Sequence, residues 1–293
     1  MTRAMFEEKQ FESAMNRELL CGGNSEYVPG LVFERIVGFD SALFANDPFF
    51  WRLWKHTFPP RGIPLDMAID FFEHEITRDQ FPKFKINLFI QYKRPEFIKS
   101  HRGCEMTYWD QPYFRYNITD HQQEILEKLE DSISNLGLVV YGSPAFYTFE
   151  DLFKHIQSTS LVRNTNFTKA STLKGHKRYT FISQGNYGIA LSEKEQIKRV
   201  DILEEIEKSE HEYKDNNKFL YATANKIEQS LYETKTETNI EKSKMYQHLI
   251  SSIKERYSNK LENAFFSYVK IRTFSWLYGI EWLPIIETNR EGL

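Results

Sequence analysis

The sequence has few cysteines, no long apolar run and almost no net charge. Its two cysteines, Cys21 and Cys104, form no Cys-x-x-Cys pair, which argues against a disulfide framework and is typical of a reducing cytoplasm. No apolar run approaches the ~18 residues of a membrane-spanning helix, and no signal peptide opens the chain. The formal net charge of -3 excludes a global basic field. We therefore expect a cytoplasmic protein without a membrane segment, whose nucleic-acid site, if it has one, is local or built by oligomerisation.

The second half of the chain has no glycine or proline between residues 193 and 262. That segment is rich in Lys and Glu, which predicts long surface helices with a break near residues 234–239. Helical spacing relates Tyr246, Leu249, Ile253 and Tyr257. We expect two domains, 1–192 with an insertion at 46–85, and a charged helical region at 193–293. The helical region suits homo-oligomerisation or a partner protein that controls activity.

The segment from Ile86 to Pro95 predicts a buried strand of about seven residues. Because side chains alternate faces along a strand, Gln91 and Lys93 share one face with Asn87 and Phe89. A lysine at the end of an apolar strand is costly without a partner. This pair therefore indicates an active site, although a sheet-edge amide beside an extended, solvent-seeking lysine is the alternative.

Acidic residues that could complete such a site precede this strand. Glu34 and Asp40 have the same parity in an apolar segment predicted as a strand, Leu31 to Phe44. Six strand residues span about 20 Å, too far for one metal ion unless Gly38 marks a bend. Otherwise the second acid is Glu18, on an amphipathic helix predicted for residues 4–20. For Glu12 and Glu18 the alternative is an exposed helix carboxylate.

A helix is predicted after the strand, from Thr119 to Leu136, followed by a strand from Leu138 to Phe146. Thr119 and Gln122 have the spacing of a capping box. His121 and Gln122 lie at the inward edge of the helix N-terminus, where free N–H groups and the helix dipole favour a phosphate. A core or capping histidine is the alternative.

One compact basic cluster contains Lys174, His176, Lys177 and Arg178 and is interleaved with Tyr179 and Phe181. Cations alternating with aromatic rings can hold a nucleic-acid backbone. A solvated loop is the alternative for this cluster.

These motifs together resemble the PD-(D/E)XK, or restriction-endonuclease-like, nuclease superfamily over residues 4–147. The resemblance implies an α/β fold, with a mixed central sheet flanked by helices. It matches Asp40 and Gln91 to metal ligands, Lys93 to the lysine that assists the attacking water, and Glu34, less securely, to a preceding acid. Gln91 replaces the commoner glutamate of the family, and the 50 residues between Asp40 and Gln91 require an insertion.

The chemistry of these residues agrees with a divalent metal. Mg²⁺, or Mn²⁺, prefers oxygen ligands such as the Asp40 carboxylate and the Gln91 amide. Lys93 would lie beside the attacking water, which it could orient or deprotonate. We expect a metal-dependent endonuclease acting on DNA rather than RNA, by analogy the effector of a bacterial antiphage system. The alternative is a non-catalytic assembly or binding protein with a nuclease-like fold.

Overall fold

The computed structural model describes residues 1–20, 24–27, 42–45, 84–99, 105–183, 185–210, 213, 215–257 and 263–286. Asp40, Glu34, most of the strand predicted from Leu31 to Phe44 and nearly all of the predicted insertion at 46–85 lie outside these residues. The predicted roles of Asp40 as a metal ligand and of Glu34 as a preceding acid therefore stay predictions.

A mixed four-stranded sheet contains the strand predicted around Gln91. Strand β4 (Phe84–Tyr92) runs parallel to β7 (Gly137–Pro144), so both strands end at the same edge of the sheet. The antiparallel neighbours are β8 (Thr165–Lys169) beside β7 and β12 (Glu281–Ile286) beside β4. The sheet order is β12-β4-β7-β8. The predicted strands around residues 86–93 and 138–146 are confirmed.

A second sheet is antiparallel throughout, in the order β1-β5-β6-β9-β10-β11. Its strands are β1 Thr2–Arg3, β5 Glu96–Ile98, β6 Tyr113–Asn117, β9 Arg178–Phe181, β10 Tyr187–Leu191 and β11 Glu195–Lys198. Strand β11 lies in a segment predicted as helix, and that part of the prediction is wrong. A separate two-stranded antiparallel sheet pairs β2 (Asn24–Tyr27) with β3 (Ala42–Ala45).

Eight α-helices lie within the described residues, and most of them pack on one or the other face of the four-stranded sheet. They are α1 Glu8–Leu19, α2 Met106–Trp109, α3 Asp120–Ile133, α4 Phe149–Gln157, α5 Ile202–Lys208, α6 Asn216–Tyr232, α7 Glu237–Tyr257 and α8 Asn263–Tyr278. The predicted helices at the N-terminus and after Thr119 are confirmed, as is the break between α6 and α7. The fold class is α/β, as predicted.

Alternation along β4 separates two hydrophobic layers. Leu88, Ile90 and Tyr92 face α1, where the Tyr92 hydroxyl donates to Asn16 Oδ1 at 2.7 Å. Phe89 lies on the other face, in a core that α3, α6, α7 and α8 share with the second sheet. The apolar pattern of β4 therefore buries both of its faces.

The C-terminal segment returns to the first half of the chain. Strand β12 pairs with β4 from Glu281 to Ile286, and the Trp282 Nε1–H donates to Asn87 Oδ1 at 2.8 Å. Helices α6 and α8 belong to the same core as β4. The boundary predicted at residue 192 thus falls between elements that share one core. Among the described residues, no helix is long and apolar enough to cross a membrane.

Candidate functional site

The candidate site lies where the parallel strands β4 and β7 end. In α/β sheets this carboxyl edge is where ligands commonly bind. Lys93 follows β4 directly, and its backbone N–H donates to Gly142 O at 2.9 Å, which continues the ladder with β7. The ladder holds Lys93 on the face predicted from the sequence, toward α3 and away from the tyrosine of the Gln-Tyr-Lys motif.

Lys93 is almost enclosed, with 9% of its surface exposed. Its ammonium donates to Gln122 Oε1 at 2.5 Å and lies 5.5 Å from the centre of the Tyr141 ring. Burial lowers the pKa of Lys93 to about 8, while the charge of Glu8 acts in the opposite direction. A lysine with this pKa is partly neutral near physiological pH, so it can exchange a proton there.

Glu8 is an acidic neighbour of Lys93 that the sequence reasoning missed. It lies in the first turn of α1, and its Oε2 accepts the backbone N–H of Arg94 at 3.2 Å. Burial raises the pKa of Glu8, against the lowering effect of Lys93. The sequence did contain a signal for Glu8. Residues 8, 12 and 15 are spaced four and three apart, which places Glu8 on the same helix face as the buried Met15.

Gln91 is buried, with 3% of its surface exposed. Its Nε2–H donates to Tyr92 O at 3.3 Å, whereas its Oε1 has no hydrogen-bond partner within the described part of the chain. Ser143 Oγ on β7 and Asn166 Nδ2 on β8 also lack a hydrogen-bond partner among the described residues. These two residues pair with each other across the strands. A buried amide oxygen without a donor is costly, and a bound cation or an ordered water would satisfy it.

The N-terminus of α3, which carries His121 and Gln122, meets this edge of the sheet, where Gln122 contacts Lys93. Thr119 does not cap the backbone; its hydroxyl donates to Gln122 Oε1 at 2.9 Å, so the predicted capping box does not form. Gln122 Oε1 therefore accepts from both Thr119 and Lys93. Burial lowers the pKa of His121, and the charges of Lys242 and Lys93 lower it further.

Cationic groups thus converge on the start of α3. Lys242, on α7, lies 5.2 Å from the centre of the Tyr278 ring, and burial lowers its pKa. Glu124, the carboxylate one turn along α3, already accepts hydrogen bonds from Thr236 and Asn239. Lys93, Lys242 and the positive helix end together favour an anion at this position.

The basic cluster predicted to bind nucleic acid is occupied by acidic partners. Lys177 pairs with Asp120, and Arg178 Nη1 donates to Glu105 Oε1 at 2.6 Å. Lys174 Nζ lies 4.0 Å from Glu127 Oε2. Only Lys177 reaches the start of α3, through Asp120. A nucleic-acid phosphate would have to compete with these carboxylates.

The two acids predicted on α1 have different environments. Glu18 does not face Lys93, because its carboxylate accepts the backbone N–H groups of Leu161 and Val162 at 2.8 and 3.0 Å. These hydrogen bonds connect α1 to the loop before β8. Because both carboxylate oxygens of Glu18 are used there, its alternative role as a metal ligand is not supported. The expectation of an exposed Glu12 is wrong, since only 9% of its surface is exposed.

The donors around Lys93 fit a hard divalent cation in kind. The Gln91 amide and the Glu8 carboxylate offer oxygen atoms of the type that Mg²⁺ and Mn²⁺ prefer. Within the described ranges, no group of three or more His, Cys, Asp or Glu side chains converges on one point. Asp40 and Glu34, the remaining predicted acids, lie outside those ranges.

Comparison with known proteins returned no relative. No family model matches the chain, and no curated protein or solved structure matches it either.

Proposed function

We propose that the chain is a metal-dependent nuclease that hydrolyses phosphodiester bonds, with DNA as its substrate. The observation that carries this proposal is Lys93, a buried lysine with a lowered pKa at the carboxyl edge of the sheet. Buried ionisable groups with perturbed pKa values are typical of catalytic sites. By resemblance, the protein acts as the effector of a bacterial antiphage system.

The start of α3 suits the phosphate of the scissile bond. Free N–H groups of the first helical turn, with Lys93 and Lys242 nearby, attract the charge that develops during hydrolysis. His121, kept neutral by its buried and cationic surroundings, can donate or accept a hydrogen bond there. These groups position the phosphate against the Lys93 amine.

Lys93 accepts a proton from the attacking water at Nζ. Its hydrogen bond to Gln122 orients the amine, and its lowered pKa makes the neutral form available near pH 8. Gln91 and, by resemblance, Asp40 would hold the Mg²⁺ or Mn²⁺, which supplies Lewis-acid activation of the water and phosphate when bound.

Cleavage assays test this directly. Purified protein is incubated with supercoiled plasmid, linear DNA and RNA, in Mg²⁺ or Mn²⁺ and in EDTA, and is compared with Lys93→Ala and Asp40→Asn. We expect metal-dependent DNA cleavage that both variants lose. Lys218→Ala, at an exposed lysine of α6, is the matched control and should retain activity. Absence of cleavage under every condition, or full activity of Lys93→Ala, would reject the proposal.

A second candidate is a non-catalytic assembly or binding protein. The observation in its favour is that Lys177 pairs with Asp120 and Arg178 pairs with Glu105. These cations therefore already have acidic partners within the chain and are less available to bind nucleic acid. In that case Lys93 only joins the strand end to α3. The two candidates differ in one result, because only a nuclease loses an activity when Lys93 is replaced.

A further inference from the structure

A cleft of about 440 Å³ opens beside β8, on the opposite side of the four-stranded sheet from Lys93. Phe167 lies at its base and belongs to the hydrophobic layer that faces α1. Its walls come from the loop before β8, the residue before β10 and the segment from β11 to α5. The lining residues are Val162, Arg163, Phe167, Asn186, Lys198, Arg199, Val200, Asp201, Ile202 and Leu203.

The cleft carries three cations and one acid. No ion pair involves Arg163, Lys198 or Arg199 in the part of the chain that the structure describes, although ion pairs occupy basic residues elsewhere. The single acid, Asp201, accepts the backbone N–H groups of Leu203 and Glu204, each at 3.2 Å, as the N-cap of α5. The charge of Asp201 still acts on Arg199, but one carboxylate among three cations leaves the cleft with a local excess of positive charge in a chain whose net charge is -3.

Arg199 is held in place by the backbone rather than by a carboxylate. Its own N–H donates to Asn186 O at 2.8 Å, and its guanidinium Nη2–H donates to Arg163 O at 2.9 Å. Burial lowers the pKa of Arg199, against the raising effect of the Asp201 charge, which means that the charged form is partly desolvated there. A guanidinium has five donors in a fixed plane, and one carbonyl uses only one of them. The remaining donors are suited to a planar or tetrahedral anion.

The floor of the cleft is apolar. Val162, Phe167 and Ile202 are buried in the layer beneath it. A volume of several hundred Å³ with an apolar base and a few polar groups at the rim is typical of a small-molecule site. The ligand that complements these walls combines a charged end with an apolar or ring-shaped body.

We propose that this cleft binds a small phosphate-bearing molecule with a ring, of the size of a nucleoside monophosphate. A phosphate monoester has about two negative charges at neutral pH, which three cations beside one carboxylate can balance. Arg199 contacts the phosphate, Arg163 and Lys198 flank it, and the ring lies toward Phe167. The proposal does not depend on nuclease activity, because it concerns other residues on the other face of the sheet.

Calorimetric titration of the full chain tests the proposal with adenosine monophosphate, inorganic phosphate and a ten-nucleotide single-stranded DNA as probes. We expect saturable binding of adenosine monophosphate, with weaker binding of inorganic phosphate because it lacks the ring. Arg199→Gln, and separately the double variant Arg163→Gln with Lys198→Gln, should weaken the affinity by about tenfold or more. Lys218→Gln removes the same charge from an exposed site of α6 and should leave the affinity unchanged.

Two results would overturn the proposal. One is the absence of saturable binding of adenosine monophosphate and of phosphate to the native chain. The other is unchanged affinity in both cleft variants, with circular dichroism showing that they are folded. Arg163 and Lys198 are exposed, so the double variant remains informative if Arg199→Gln fails to fold. If the first result is accompanied by binding of the oligonucleotide, the cleft is part of a nucleic-acid path instead.

Discussion

At the scale of single residues, two buried ionisable side chains, Lys93 and Glu12, have pKa values shifted far enough to test by changing pH. Lys93 and Glu12 lie on opposite faces of the four-stranded sheet, and burial is the largest influence on the pKa of each. Burial disfavours the charged form, so it lowers the pKa of the lysine and raises that of the glutamate. Each shift gives a measurable expectation.

For Lys93 the expectation concerns the rate of cleavage. If the neutral amine is the general base, kcat/KM should rise with pH and level off above about 8, where the amine is deprotonated. Lys93→Ala should lower kcat/KM by a factor on the order of 10² or more and remove this rising limb. A pH–rate series from 6 to 9.5, with Lys218→Ala as the control, measures both effects. A rate that instead falls above pH 8 would assign the charged amine, not the neutral one, to catalysis.

For Glu12 the expectation concerns the free energy of unfolding. Its pKa is raised to about 8 by burial, with Glu281 raising and Lys9 lowering it. Glu281 in turn forms an ion pair with Arg272, whose Nη1 lies 3.3 Å from Glu281 Oε1. Between the unfolded value of about 4.3 and 8, the folded chain keeps a proton that the unfolded chain has lost. Stability therefore falls as pH rises through this window.

Glu12→Gln removes this titration. The variant should be more stable than the native chain above pH 8, by on the order of 1 kcal/mol, and its stability should vary less between pH 5 and 8. Urea unfolding at pH 5, 6.5, 8 and 9 provides the comparison. Parallel stability curves for the two proteins would mean that Glu12 ionises normally in the fold.

At the scale of elements, helix α7 packs against the body of the chain through a face that includes Tyr246 of the stripe seen in the sequence and Ile250, which is outside that stripe. Tyr246 and Ile250 are buried in the core shared with α6 and α8, and Leu249 and Ile253 are partly buried. The Tyr246 hydroxyl has no hydrogen-bond partner among the described residues. Burial of Tyr246 and Ile250 therefore stabilises the fold, and the proposed role of the stripe in assembly stays a prediction.

Two substitutions at Tyr246 separate packing from hydrogen bonding. Tyr246→Ala leaves a cavity and should cost roughly 3–5 kcal/mol of unfolding free energy, as for other buried aromatic residues. Tyr246→Phe removes only an unpartnered hydroxyl and should be neutral or slightly stabilising. Chemical denaturation measures both, and light scattering after size exclusion reports the oligomeric state. A large loss in Tyr246→Phe would show that the hydroxyl has a partner in solution.

At the scale of the whole molecule, the C-terminal strand closes the central sheet. Strand β12 covers the side of β4 that β7 leaves open, and buries Trp282, Leu283 and Ile285. Asn87, fully buried, receives the Trp282 N–H and donates to Leu136 O and Thr223 Oγ1. This amide joins β4, β12 and α6, so the two halves of the chain should unfold together.

Shortening the chain at residue 192 should therefore abolish folding rather than release an active domain. The shortened chain loses β12 beside β4 and the helices that complete the core. In the full chain, Trp282→Phe should cost about 1–3 kcal/mol, because it leaves Asn87 Oδ1 without its donor. Trp276→Phe, at a tryptophan that is 57% exposed, should cost less than about 0.5 kcal/mol. Circular dichroism and urea unfolding test all three; a shortened chain with a cooperative transition would contradict the shared core.

The strand around Gln91 and Lys93, helix α3 and strand β7 were predictable because each has a strong local period or an end signal. The face shared by Gln91 and Lys93 also followed from alternation alone. Strand β11 was not predictable, because its charged sequence favours helix and only pairing with β10 makes it a strand. The neighbours of Lys93 could not be predicted either, because Gln122 and Glu8 are far from it in the sequence.

The sequence by itself determined the α/β class, the orientation of the motif lysine and the position of the helix that faces it. These features depend on periodicity, which acts between neighbours in the chain. Only the tertiary structure decided which acids are buried, which cations are paired and which remain unpaired around the cleft beside β8. Those outcomes depend on burial and on contacts between residues as far apart as Asn87 and Trp282, and local pattern contains no information about them.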